Sequence, residues 1–183
     1  MNLLNSILVL LAVFLAVFWE TAFSGIRNVF GAQIHLLPAL MVCAALSTGL
    51  ATTTLASVLG GLFFDSLSAN PLGVSVLPLF LVGFAIHTQR ELILRDQIFA
   101  QFVLGLSASG LVPILTALLI LTKGEPPLLG WGSLWQWIVV TVGGGIATPI
   151  CFQLLGMFDR MLNFQAATQT SFRHDREIRR GRK

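Results

Sequence analysis

The stretch Val58-Leu-Gly-Gly-Leu-Phe-Phe-Asp-Ser-Leu-Ser-Ala-Asn-Pro-Leu-Gly73 sets a carboxylate, Asp65, directly after an apolar run. A charged side chain at membrane depth costs about 2.5–3.5 kcal/mol on insertion scales, so it faces other protein or lies near an interface. Gly60 and Gly61 precede it by about one helical turn, and small residues let a neighbouring helix approach closely. The segment therefore reads as a packed helix that ends at a fixed polar point, followed by a turn.

Working outward, the sequence is a series of apolar blocks. Of 183 residues, 55% are hydrophobic and 10% charged, and the mean hydropathy is +0.84. A soluble domain carries about 25% charged residues. The deficit falls in long blocks, which assigns the chain to the integral membrane proteins. Polar and Pro/Gly punctuation separates six segments: Leu3–Phe23, Leu36–Leu50, Thr52–Leu67, Leu72–Thr88, Ile98–Leu121 and Leu134–Phe158. The expected fold is an all-α bundle of six transmembrane helices over residues 1–164, followed by a basic cytoplasmic tail over 165–183. The second and third segments are short for a bilayer that needs about 20 residues per straight span. They are joined through Ser47–Thr54. A close helical hairpin is expected there, with one long helix or a re-entrant element as the alternatives. The first segment lacks a basic n-region and exceeds the roughly 7–15 apolar residues of a signal h-region, so it reads as a retained span. Cys43 and Cys151 lie inside apolar runs and read as small buried hydrophobes rather than a disulfide or metal pair.

The charges orient the bundle. With both termini in the cytoplasm, nine of the 11 Lys and Arg residues fall inside. They are Arg90, Arg95, Arg160 and the tail residues Arg173, Arg176, Arg179, Arg180, Arg182 and Lys183. Only Arg27 and Lys123 fall outside, a strong positive-inside bias. Trp19, Trp131, Trp135 and Trp137 then map to the outer ends of the first and last spans, where indoles favour the interface. Glu20, Asp65 and Arg27 also lie near that boundary. An Arg27–Asp65 ion pair is expected, each charge offsetting part of the other's desolvation cost.

Catalytic and cofactor signatures are absent: there is no HExxH, CxxC, P-loop lysine motif or GxSxG. His35, His87 and His174 fall in an outer loop, at the inner end of the fourth span and in the tail, which separates them too far for a shared metal. His87 reads as an interfacial cap. Glu20 and Asp65 have the residue types of an intramembrane carboxylate dyad. The plainer reading is a Glu at a helix end and an Asp capping a turn. No enzyme activity, cofactor, metal or nucleic-acid partner is expected. Small residues recur four apart in Ala12-x-x-x-Ala16, Ala56-x-x-x-Gly60, Ser57-x-x-x-Gly61, Gly105-x-x-x-Ser109 and Gly144-x-x-x-Thr148. Together they indicate a compact bundle with faces able to receive another helix, including that of a second copy. Ala12 and Ala16 form one candidate partner-helix face. Pro38, Pro78, Pro113 and Pro149 lie near or within spans and bend them locally. The tail is drawn to anionic lipid at about 1 kcal/mol per basic residue, with a specific protein partner as the alternative.

These residues carry a family likeness. The six-span layout, Leu37-Pro38-Ala39-Leu40, the Gly60-Gly61-Leu62-Phe63-Phe64-Asp65 element with Gly73 after it, and Thr148-Pro149-Ile150 leading to Asp159-Arg160 together resemble the bacterial rod shape-determining MreD family. The likeness covers most of Leu36–Arg160. Where that family often has an Asp after the proline, this chain has Ala39. The resemblance implies a non-enzymatic scaffold of the cell-elongation machinery in the inner membrane. Its expected partners are MreC, directly, and MreB, the glycosyltransferase RodA and a class B penicillin-binding protein, directly or through MreC. On that likeness Pro38, Gly60, Gly61, Asp65 and Gly73 are the residues expected to fix the fold. The fold implied is also that of the six-helix substrate-binding subunits of energy-coupling-factor vitamin transporters, which supply the alternative function.

Overall fold

The computed structural model describes residues 3–22, 31–68, 70–90, 97–122 and 130–170. Six helices occupy them: α1 Leu3–Ala22, α2 Leu37–Ser47, α3 Leu50–Leu67, α4 Val76–Thr88, α5 Ile98–Thr122 and α6 Trp131–Thr170. There is no strand among the described residues. Helices α1, α3, α5 and α6 are long and apolar enough to cross a membrane, whereas α2 and α4 are shorter apolar helices. The outer faces stay apolar: Phe14, Phe18, Leu118, Ile146 and Ile150 are all about half exposed. A helix that is hydrophobic all round suits lipid outside and protein inside.

The centre is α2. Every residue from Leu37 to Leu46 is buried, and all five other helices touch it. Its first turn contains Pro38, which the helix start tolerates because that N–H has no intrahelical acceptor. Eleven residues rise only about 16 Å, short of a hydrocarbon core about 30 Å thick. Enclosure by neighbouring helices accommodates this shortness, because its ends meet protein.

Thr48 and Gly49, both extended, separate α2 from α3. The Thr48 hydroxyl and N–H both donate to the Ala44 carbonyl, closing the end of α2. The two helices then run antiparallel, with Leu37 beside Gly60, and with Met41 and Thr53 together beside Gly83. The hairpin is thus the form the chain adopts.

Close approach holds the longest pair together. The small residues of α5 and α6 interlock: Gly105 lies against Thr148 and the Gly144 carbonyl, and Gly144 lies against Ser109. The Trp137 indole N–H donates to the Gly110 carbonyl at 3.1 Å in the same seam. Two of the sequence's small-residue pairs, Gly105/Ser109 and Gly144/Thr148, are therefore each other's partners.

Helix ends differ from the expected ones where polar chemistry decides. Helix α4 begins at Val76 rather than Leu72, because Pro71–Val74 forms a turn closed by Val74 N–H to Pro71 carbonyl at 3.3 Å. Gly73 takes φ +85° there, the third position of a type II turn. Helix α6 starts at Trp131 and runs on to Thr170, past the expected edge of the membrane domain at residue 164. Its continuation is rich in Arg, Met, Leu, Gln and Ala, which are good helix formers whether or not lipid surrounds them.

Gly144→Ala should destabilise the protein by about 1–3 kcal/mol through overpacking. Gly132→Ala, where an added carbon meets nothing within 4 Å, should leave the melting temperature in mild detergent unchanged. Equal melting of the two variants would contradict the interlock.

Candidate functional site

Two carboxylates organise one end of the bundle. Glu20, in the last turn of α1, is 5% exposed. Its Oε1 contacts the Nδ1 of His35, and its Oε2 accepts the Leu36 N–H at 3.3 Å. The Gln33 side-chain amide donates to the Glu20 backbone carbonyl. One acidic residue thereby ties the segment before α2 to the end of α1.

Asp65 repeats this arrangement on α3. It is 2% exposed, and its Oδ2 accepts the Ser75 N–H at 3.0 Å, at the start of α4. Each carboxylate thus sits near the end of its own helix and receives a backbone N–H at the N-terminus of another. The positive end of a helix dipole stabilises an anion there. Phe64 and His35 bring the two anchors together, their rings meeting edge to face at 5.1 Å. Asp65 Oδ1 has no hydrogen-bond partner among the described residues. The expected Arg27–Asp65 pair lies outside the described residues, as do the basic tail residues Arg173, Arg176, Arg179, Arg180, Arg182 and Lys183.

The glycines near these anchors mark close approaches. A Cβ on Gly60 would lie 2.8 Å from side-chain carbons of Leu37 and Val13, and one on Gly61 would lie 2.9 Å from the Val76 Cα. The first is where α1, α2 and α3 meet; the second is where α3 meets the backbone of α4. Gly73 has open space around it, so its requirement is conformational alone. His87, expected as an interfacial cap, reaches inward: its Nδ1 is 3.0 Å from the Ala45 carbonyl near the end of α2.

Two kinds of space result. Beside the anchors is a cavity of about 210 Å3, with polar groups from His35, Asn70 and Ser75 and apolar walls that include Pro38, Phe64 and Pro113. The second is a cleft between α1 and α6. Its upper part, about 230 Å3, lies against Trp19, Gly143 and Ala147, and its lower part, about 320 Å3, against Ala12, Ala16 and Cys151. Leu36 borders both parts. Gly143, Ala147 and Cys151 recur every fourth residue and share one face of α6. Ala12 and Ala16 of α1 border the lower part with Cys151, while Gly143 in the upper part packs against Ile34. Among the described residues no group of three or more His, Cys, Asp or Glu side chains has the arrangement to hold a metal ion.

No known family model, curated protein or solved structure matches this chain.

Sequence reasoning treated Glu20 and His35 separately and missed their contact. The usable signal was the polar pair Gln33 and His35 immediately before an apolar helix, since such a helix start needs acceptors for its N–H groups. The Gly143/Ala147/Cys151 stripe was missed because cysteine was read only as a buried hydrophobe.

Glu20→Ala and His35→Ala should each cost about 1–3 kcal/mol, the penalty for leaving a buried hydrogen-bonding partner unsatisfied. The double variant should cost clearly less than their sum, read from detergent melting curves; additivity would mean the contact carries no coupling. Gly73→Ala should cost about 1 kcal/mol, because an L-residue resists the left-handed region.

Proposed function

We propose that this chain is a non-enzymatic membrane scaffold of the cell-elongation machinery, and that the α1–α6 cleft receives the single span of MreC. The observation that carries this reading is the cleft itself, open along two helices and lined by small residues from both. Without a hydrophobic driving force between helices in lipid, association rests on close van der Waals packing, which small residues permit. Ala12 and Ala16 of α1 with Cys151 of α6 in the lower part, and Ala147 of α6 in the upper part, supply that geometry. In this reading all six helices lie within the bacterial inner membrane and both termini are cytoplasmic. The chain makes and breaks no bonds. It acts by preferring one assembly state of its partner, and a ligand shifts an equilibrium only by its differential affinity for the two states. RodA, the class B penicillin-binding protein and MreB are engaged directly or through MreC.

A second reading is favoured by the 210 Å3 cavity, whose polar groups His35, Asn70 and Ser75 converge above an apolar floor. Few convergent polar groups in an apolar pocket are the usual form of a small-molecule site. On this reading the chain is the substrate-binding subunit of an energy-coupling-factor vitamin transporter, in the fold of that class.

Ala16→Leu and Ala147→Leu should fill the cleft and reduce co-purification of MreC from native membranes at least about tenfold, equivalent to about 1.4 kcal/mol. The melting temperature of the isolated chain should hold. Undiminished MreC recovery would overturn the scaffold reading. Recovery of ATPase subunits and a bound vitamin-like compound would establish the second.

A further inference from the structure

At the end of the bundle opposite His35, α5 begins at Ile98, and the apolar part of α6 closes at Phe158, just before Arg160. Between them lies a cavity of about 640 Å3 whose walls include Ile98 and Gln101 of α5 and Gly156, Met157, Arg160 and Met161 of α6. Gly156 and Arg160 are four apart, as are Met157 and Met161, so the two pairs lie on neighbouring rows of one helix face. The walls divide by chemistry: Ile98, Met157 and Met161 are apolar, while Arg160 supplies a cation where the apolar window stops. The N-terminal end of α5 adds the positive end of a helix dipole at the same mouth.

We propose that this cavity binds one anionic phospholipid, with its phosphate at Arg160 and its first acyl carbons on Ile98, Met157 and Met161. Basic pockets between transmembrane helices at a membrane boundary are a recognised form of anionic-lipid site. Arginine suits the task because its planar fork matches phosphate oxygens two at a time. Gly156 lies beside open space: a Cβ added there meets nothing within 4 Å. The site is independent of the α1–α6 cleft and of whichever partner that cleft takes.

The test is native mass spectrometry of the full chain in mild detergent, with phosphatidylglycerol or phosphatidylcholine of matched acyl chains added. The wild-type chain should retain phosphatidylglycerol over phosphatidylcholine by at least about fivefold, the preference expected of one basic group. Arg160→Gln should lower that ratio about fivefold, the share of one basic group above whatever the tail contributes, and Gly156→Phe should lower it likewise. No preference in the wild-type chain would overturn the proposal. So would a ratio left unchanged by both variants, since the preference would then belong to the basic tail. Millimolar inorganic phosphate should leave the lipid bound; displacement would mean a bare-phosphate site and would overturn the lipid assignment. Arg160 is exposed, so Arg160→Gln decides the matter even where Gly156→Phe fails to fold.

Discussion

Enclosure of α2 is the constraint on which the other helices depend. An eleven-residue helix with no polar face has to be covered on every side, and five helices do so. Covering it at close range requires small residues wherever two helices meet beside it. Gly60 meets Leu37 and Val13, and Gly83 meets Met41 and Thr53. Cys43 approaches the Thr148 carbonyl at 3.9 Å. The short length of α2 and the glycines of its neighbours are one solution to one packing problem.

The ends of the short helices raise a different difficulty. A helix terminus within a bundle leaves N–H and carbonyl groups that water does not reach, and each needs a partner. Glu20 and Asp65 answer this at the N-terminal sides of α2 and α4. His87 and Thr48 answer it where α2 ends. The two buried acids thereby serve structure, fastening a short helix to the end of a long one. The same fastening leaves the 210 Å3 cavity beside His35, since side chains committed to α1 and α4 leave space between them.

The α1–α6 pair contrasts with the α5–α6 pair. On one face of α6, Gly144 and Thr148 mesh with Gly105 and Ser109. Gly143 and Ala147, one position back on the same helix, turn elsewhere: Gly143 packs against the Ile34 side chain, and both border the upper part of the α1–α6 cleft. A shift of one residue turns a helix face by about 100°, so a single small-residue stretch serves two faces. One is filled by α5, and the other meets Ile34 and the cleft beside α1.

Much of this was legible in the residues alone. Long uncharged blocks have one economical structure in an apolar medium, the helix that satisfies its own backbone. The helical segments, the turn after Asp65 and a joint within Ser47–Thr54 followed from local chemistry: apolar runs, a proline and glycine in the turn, and a polar stretch between two apolar blocks. Whether Thr48 and Gly49 made a hairpin, how far α6 continued past Phe158, and where α4 began after the glycine turn depended on neighbours and on propensity outside the apolar pattern. Side-chain partnership depended on them most. Glu20 with His35, Gly105 with Thr148, and Ala12 across from Cys151 are far apart in sequence. Local sequence determined which segments would be helices and which residues were small or charged. Only tertiary packing decided which small faces would meet, which would stay open, and which backbone each buried carboxylate would hold, because those choices depend on contacts between helices that no single segment specifies.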